Sequence, residues 1–185
     1  MNKKFKFGLI LGRFQTIHNG HVQLIEICRE LCDKTLILIG SAQESGTVRN
    51  PYDINLRKKA IKMLYDDADV IVDGINDMTN ENDICVEWGR YILNNIKEKY
   101  NELPDLMVYG KDESRKGWFS DEDSKLISEL IVSRKNIEIS ATELRKLLVE
   151  NNKKEWQKYV PEAIWGMYDE LRTELLKYEA YNKEL

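Results

Sequence analysis

The chain has 185 residues, of which 42% are hydrophobic and 32% charged, with a formal charge of −4 at pH 7 and a pI near 5.4. Those totals suit a globular chain with a sizeable core and exclude a disordered one. The acidic balance argues against a general nucleic-acid binder, which carries a basic footprint, but leaves room for a local cationic cluster that holds a small anion.

FKFGLILG, residues 5–12, is a short apolar run of strand formers ending in glycine. The lysines before it do not make it a signal peptide, because the run is short and no small-residue cleavage site follows. GHVQLIEICRELC, residues 20–32, brings Val22, Leu24, Ile25, Cys28, Leu31 and Cys32 near helical spacing and predicts a helix. Cys28 and Cys32 lie four apart on it. With Cys85 they form neither a disulfide framework nor a tetrahedral metal set, and they read as reduced thiols of a cytoplasmic protein. KTLILIGS, residues 34–41, is a second strand, so the first 41 residues predict a right-handed βαβ unit and a parallel sheet.

The alternation continues with a helix over 54–65, a strand over 68–74, a helix over 84–100 despite Gly89, and strands over 105–110 and 128–134. From Thr142 onward the pattern is helical, with Pro161 opening a final helix to about Tyr178. This order predicts an α/β fold: a Rossmann-like, doubly wound parallel sheet with helices on both faces and a C-terminal helical extension. The expectation is a single domain over 1–185, with 142–185 as its helical C-terminal part. No stretch approaches the ~20 apolar residues of a membrane span.

Ligands of such sheets bind beyond the carboxyl ends of the strands, where the glycine turns at Gly12, Gly40, Gly74 and Gly110 fall. Both histidines of the chain, His18 and His21, lie at the first of these turns, with Gly20 between them and Arg13 just before. A helix start offers free amides, imidazoles can donate to phosphoryl oxygens, and arginine adds a fork of donors. That chemistry suggests a histidine-based phosphate cradle. Two ordinary surface or capping histidines are the plain alternative. ISATELRKLL, residues 139–148, is a second helix start, with Ser140 or Thr142 as cap and Glu143 or Arg145 in the first turn. It is either another phosphate site or a capped amphipathic helix.

Taken together, GRFQTIHNGH and ISATELR resemble the HxGH and ISxTxxR signatures of the nucleotidylyltransferase superfamily. GSAQESGTVRNPY, residues 40–52, is similar to the corresponding segment of archaeal-type nicotinamide-nucleotide adenylyltransferases. The resemblance spans about residues 5–165. It implies transfer of the adenylyl group of ATP to nicotinamide mononucleotide, giving NAD and pyrophosphate by in-line attack on the α-phosphorus, with Mg²⁺ held mainly by the ATP phosphates. It further implies His18, His21, Arg13 and Arg145 as catalytic residues. Gly12, Phe14, Gly20, Gly110, Asp112, Ser140 and Thr142 would bind ATP, and Ser41, Gln43, Arg49 and Trp88 the mononucleotide. A homo-oligomer is expected, with no nucleic-acid or membrane partner.

The chain departs from the family pattern at three places: Thr16 stands where proline is usual, Gly46 where histidine is, and Cys85 where asparagine is, with Asn82 or Asp83 as substitutes for the last. Arg57 is either a helix-surface arginine or part of the site. Lys111 and Arg115 are either phosphate contacts or loop charges, and Trp118 and Phe119 either a lid or packing. Two other readings compete: a sister enzyme (pantetheine-phosphate adenylyltransferase or a cytidylyltransferase), and a non-catalytic NAD/ATP-binding sensor.

Overall fold

The computed structural model describes residues 3–78, 85–111, 115, 117–133 and 139–182. Five parallel strands form one sheet in the order β3-β2-β1-β4-β5: β1 (Phe5–Gly12), β2 (Cys32–Ile39), β3 (Val70–Gly74), β4 (Leu106–Gly110) and β5 (Ser128–Val132). The chain builds outward from β1 through β2 to β3, then crosses to β4 on the other side of β1. The order reverses between β2 and β4, with β1 as the pivot, and the crevice at that reversal is where a doubly wound sheet receives its ligand.

Period-two alternation sorts β1 onto two cores. Ile10, with Ile37, Ile39 and Val108, faces α1 (Asn19–Leu31), α2 (Ile54–Lys62) and the C-terminal helices; Phe7, Leu9 and Leu11, with Leu36, Leu38, Met107 and Tyr109, face α3 (Val86–Tyr100). Helices therefore cover both faces, as the element order predicts. The C-terminal elements α4 (Ala141–Val149), α5 (Lys153–Tyr159) and α6 (Tyr168–Leu176) share the first core through Leu144, Leu148, Trp156, Leu171 and Leu175. Trp156 packs edge-on against Tyr168, their ring centroids 5.3 Å apart, and both rings are part of the core.

Several element ends fall a few residues from the sequence expectation, and two of the differences change how the chain is read. Cys32 is the first residue of β2 and not the last of a helix, because its backbone pairs with Phe5 in the β1–β2 register. The two sulfurs still meet, 3.9 Å apart. The contact with Cys28 and then burial push the Cys32 thiol up, which keeps it protonated. The long helix expected after Pro161 is a 3₁₀ segment over Glu162–Met167 followed by α6, with a last short helix α7 (Glu179–Asn182).

Candidate active site

The site is built from three connections that start at the carboxyl edge of the sheet. The first leaves β1 at Gly12 and enters α1 at His18, the N-cap. Phe14 takes a positive φ of 50° and lays its ring over Gly12. The Gln15–Thr16 peptide is cis. His18 is buried, 3% exposed, and its backbone amide donates to Nδ1 of His21 at 3.3 Å. The imidazoles stack with centroids 3.7 Å apart and planes 27° apart, and Phe14 braces His21 at 4.8 Å. With Nδ1 of His21 accepting, the hydrogen of its neutral ring is on Nε2. The two histidines cap the helix, and in doing so they hold two rings at its N-terminus.

The second connection leaves β2. Its Gly40 amide donates to the Gly12 carbonyl at 3.0 Å, which joins the two loop starts. Ser41 has a φ of 49°, and its amide donates to Asp77 Oδ1 at 3.1 Å; the Gln43 amide group pairs with the Asp77 backbone in both directions. Arg49 is exposed near the end of this loop. Arg57 of α2 is not a surface arginine. It is 2% exposed, and its guanidinium donates to the carbonyls of Asp53, Arg13, Gly40, Ser41 and Glu44 at 2.9–3.4 Å. Burial lowers its pKa to about 10, which leaves it cationic at neutral pH. It ties the first two loops together.

Gln15 adds a second tie, because its side-chain amide both donates to the Tyr52 carbonyl and accepts from the Tyr52 amide, at 3.1 and 3.0 Å. Sequence reasoning named neither Gln15 nor Asn50, whose Oδ1 accepts from Gln15 at 3.4 Å. Their places inside GRFQ and RNPY were the available signal.

The third part is the start of α4. Ser140 is the N-cap and forms a reciprocal capping box with Glu143. Its hydroxyl, then its amide, holds the Glu143 carboxyl below the usual range. Thr142 is exposed, and its hydroxyl accepts from Arg145 at 3.2 Å. Arg145 is 7% exposed and also donates to the Gln15 carbonyl at 2.5 Å and to the Tyr181 hydroxyl at 3.1 Å. Those three bonds use three of the five N–H donors of a guanidinium. The arginine thus spans from α4 to the first loop.

Beyond β4, Gly110 is buried and Lys111 exposed, while Asp112 lies outside the described residues, as do Asn82 and Asp83. Arg115 donates to the Leu11 carbonyl at 2.8 Å and sits 4.3 Å from the Trp118 ring centroid, so it anchors this connection to the end of β1. Trp88 is 8% exposed, stacked on Tyr91 at 5.5 Å and met edge-on by Trp118 at 6.1 Å. Trp118 and Phe119 pack against Gly89 of α3. Here they act as packing.

The sequence and the fold have counterparts among known proteins. Residues 9–147 match the cytidylyltransferase-like family. The chain is 30% identical over 180 residues to the nicotinamide-nucleotide adenylyltransferase of Thermococcus onnurineus strain NA1, covering 97% of this chain and 91% of that protein. It is 29% identical over 188 residues to the nicotinamide-nucleotide adenylyltransferase of Thermococcus kodakarensis, with the same coverage. Its fold is also similar, with a TM-score of 0.70 at 20% identity over 97% of this chain, to a bifunctional NMN adenylyltransferase/ADP ribose pyrophosphatase of Francisella tularensis complexed with AMP and an Mn ion. The chain spans about half, 51%, of that bifunctional protein.

Proposed function

The chain belongs to the cytidylyltransferase-like family and, within it, to the nicotinamide-nucleotide adenylyltransferases, and from that premise we propose how its loops carry out the reaction. It is an adenylyltransferase that joins ATP and nicotinamide mononucleotide into NAD and pyrophosphate. A 5′-phosphate oxygen of the mononucleotide forms a bond to the α-phosphorus as the bond from that phosphorus to the β-phosphate bridging oxygen breaks. No protein nucleophile takes part, so catalysis is alignment plus stabilisation of charge on the phosphoryl oxygens.

The observation that carries this reading is the stacked pair His18 and His21 at the N-terminus of α1, at the end of the central strand. We assign both to the triphosphate, with Nε2–H of His21 as a donor to phosphoryl oxygen. Arg13 and Arg145 are assigned to the same charge, and Gly12, Phe14, Gly20, Gly110, Asp112, Ser140 and Thr142 to the rest of ATP. Ser41, Gln43, Arg49 and Trp88 serve the mononucleotide. Because Trp88 is only 8% exposed, with Tyr91 stacked on it and Trp118 edge-on, stacking a nicotinamide ring on it requires one of these two rings to move aside.

The imidazole and guanidinium groups of His21, Arg13 and Arg145 would meet the triphosphate as donors, and Mg²⁺ would come to it held by the phosphate oxygens, the mode a small cation with retained waters favours. When bound, the ion would neutralise phosphate charge. The 185 residues act as one domain in the cytoplasm, as a homo-oligomer, with 142–185 as the part that carries Arg145 to the first loop.

The test is pyrophosphate release with ATP and Mg²⁺, comparing nicotinamide mononucleotide, nicotinic acid mononucleotide, phosphopantetheine and no acceptor. Equal amounts of pyrophosphate and dinucleotide are expected with a pyridine mononucleotide. Release only with phosphopantetheine would overturn the acceptor. Tight NAD binding with no release at all would replace the enzyme by a sensor.

A further inference from the structure

Two tyrosines from the C-terminal end of the described chain lie on the loop assigned to the mononucleotide. The Tyr178 ring comes within 3.0 Å of where a Cβ on Gly46 would sit, and Gly46 has a φ of +72°. Both facts require glycine there: a side chain would meet the ring, and the backbone conformation disfavours one. Three residues on, the Tyr181 hydroxyl donates to the Val48 carbonyl at 2.5 Å and accepts from Arg145 Nε at 3.1 Å. A phenol has one hydrogen to give and lone pairs to accept, so the two bonds coexist. The cationic donor on its oxygen also polarises the O–H that Val48 receives.

The loop's backbone-to-backbone closures are long, with the Gly46 amide 3.4 Å from the Pro51 carbonyl and the Thr47 amide 3.3 Å from that of Asn50, and its short one, the Asn50 amide to Thr47 Oγ1 at 2.9 Å, does not involve the Val48 carbonyl. Val48 itself is 60% exposed and has little packing to hold it. Its carbonyl is therefore secured from outside the loop.

We propose that Tyr181 is a positioning residue: its single hydroxyl sets the spacing between Arg145 on the ATP side and the Val48–Arg49 backbone on the mononucleotide side. The proposal rests on the assignment of Arg145 and Arg49 to the two substrates. Tyr178 seats the same segment against Gly46, so the helix end and the loop meet at two points. Arg145 keeps its bonds to Gln15 and Thr142 without Tyr181, whereas the Val48 carbonyl loses its described partner. The mononucleotide side is accordingly the one that depends on the phenol.

Tyr181→Phe keeps the ring and removes the hydroxyl. The expected result is a KM for nicotinamide mononucleotide raised about fivefold to tenfold, the effect of one hydrogen bond, with kcat and the KM for ATP changed less than about threefold. Hydrogen exchange of the 46–50 amides should speed up, with no substrate present, while Tm stays within about 2 °C of the parent. Gly46→Ala, which disturbs the neighbouring Tyr178 contact and the backbone of the same loop, should give the same selective rise. An unchanged or lowered KM for the mononucleotide together with unchanged loop exchange overturns the proposal. So does an equal rise for both substrates with a matching loss of Tm, which would mark a merely structural contact. If the parent protein makes no dinucleotide, the site assignment fails first, and the exchange measurement still reads the tie on its own.

Discussion

At the scale of single residues, His18 and His21 hold each other. His21 accepts the amide hydrogen of His18 at 3.3 Å, and their rings stack at 3.7 Å, so neither can turn without disturbing the other. That fixed pair favours charge that develops in the transition state over charge already present in bound ATP. His18→Ala or His21→Ala should lower kcat by about 10²–10³, the loss typical of one preorganised donor, and change the KM for ATP less than about tenfold. Steady-state kinetics decide it, because equal losses in both would mean ground-state binding only. Circular dichroism should accompany them, since the His21 change also removes a cap worth about 1 kcal/mol. The two histidines were legible in the sequence because they are the only ones and share a turn. Arg57 was not. Its five carbonyl partners lie up to 44 positions away, and nothing in NLRKK says that its guanidinium points inward.

Among the elements, α3 tolerates a glycine in its middle for a reason that lies outside the helix. A Cβ at Gly89 would stand 1.8 Å from the Trp118 carbonyl oxygen, so the 117–119 connection is seated directly on the helix backbone. Alanine would add up to about 1 kcal/mol of helix propensity, but the collision is with backbone and overpacking costs about 1–3 kcal/mol. The clash wins. Gly89→Ala should lower Tm by about 2–8 °C in a chain of this size and alter tryptophan emission, as Trp118 moves off Trp88. An unchanged emission spectrum with a raised Tm would show that the connection does not sit there. Alternation of apolar runs and glycine turns makes the order of strands and helices legible in the sequence alone. The boundary at Cys32 is not legible there, because pairing with Phe5, 27 positions earlier, starts the strand at that residue.

For the molecule as a whole, Asp73 on the edge strand β3 draws both helical layers to the sheet. It accepts from Lys58 of α2 at 3.2 Å, from Tyr100 of α3 at 2.6 Å, and from Lys99 of α3. Burial alone would raise its pKa, but the hydrogen bonds from Lys99, Tyr100, the Gly74 amide and Lys58 reverse that and hold it well below the carboxylate range. A folded pKa lowered in this way stabilises the protein above the unfolded value near 3.9 and loses that contribution as pH falls further. Asp73→Asn should therefore lower Tm by about 4–8 °C at pH 7, from about 2 kcal/mol of lost charged hydrogen bonding. The gap to the parent should narrow as pH drops below about 4. A gap that stays constant down to pH 2–3 would remove ionisation as the cause. The sheet and its two layers could be read from periodicity, whereas ties such as this one join residues from three separate elements and carry no local pattern.

The bond from Arg145 to the Gln15 carbonyl spans 130 positions of the chain. A ribosome adding about 5–20 residues per second needs roughly 7–26 s between making one partner and making the other. For the earlier part of that interval, until Leu106 is made, the nascent β1 also lacks its β4 neighbour, because Gly8 pairs with Leu106. The first loop therefore gains the last of these contacts only once the segment that carries Arg145 has been made, long after its own residues.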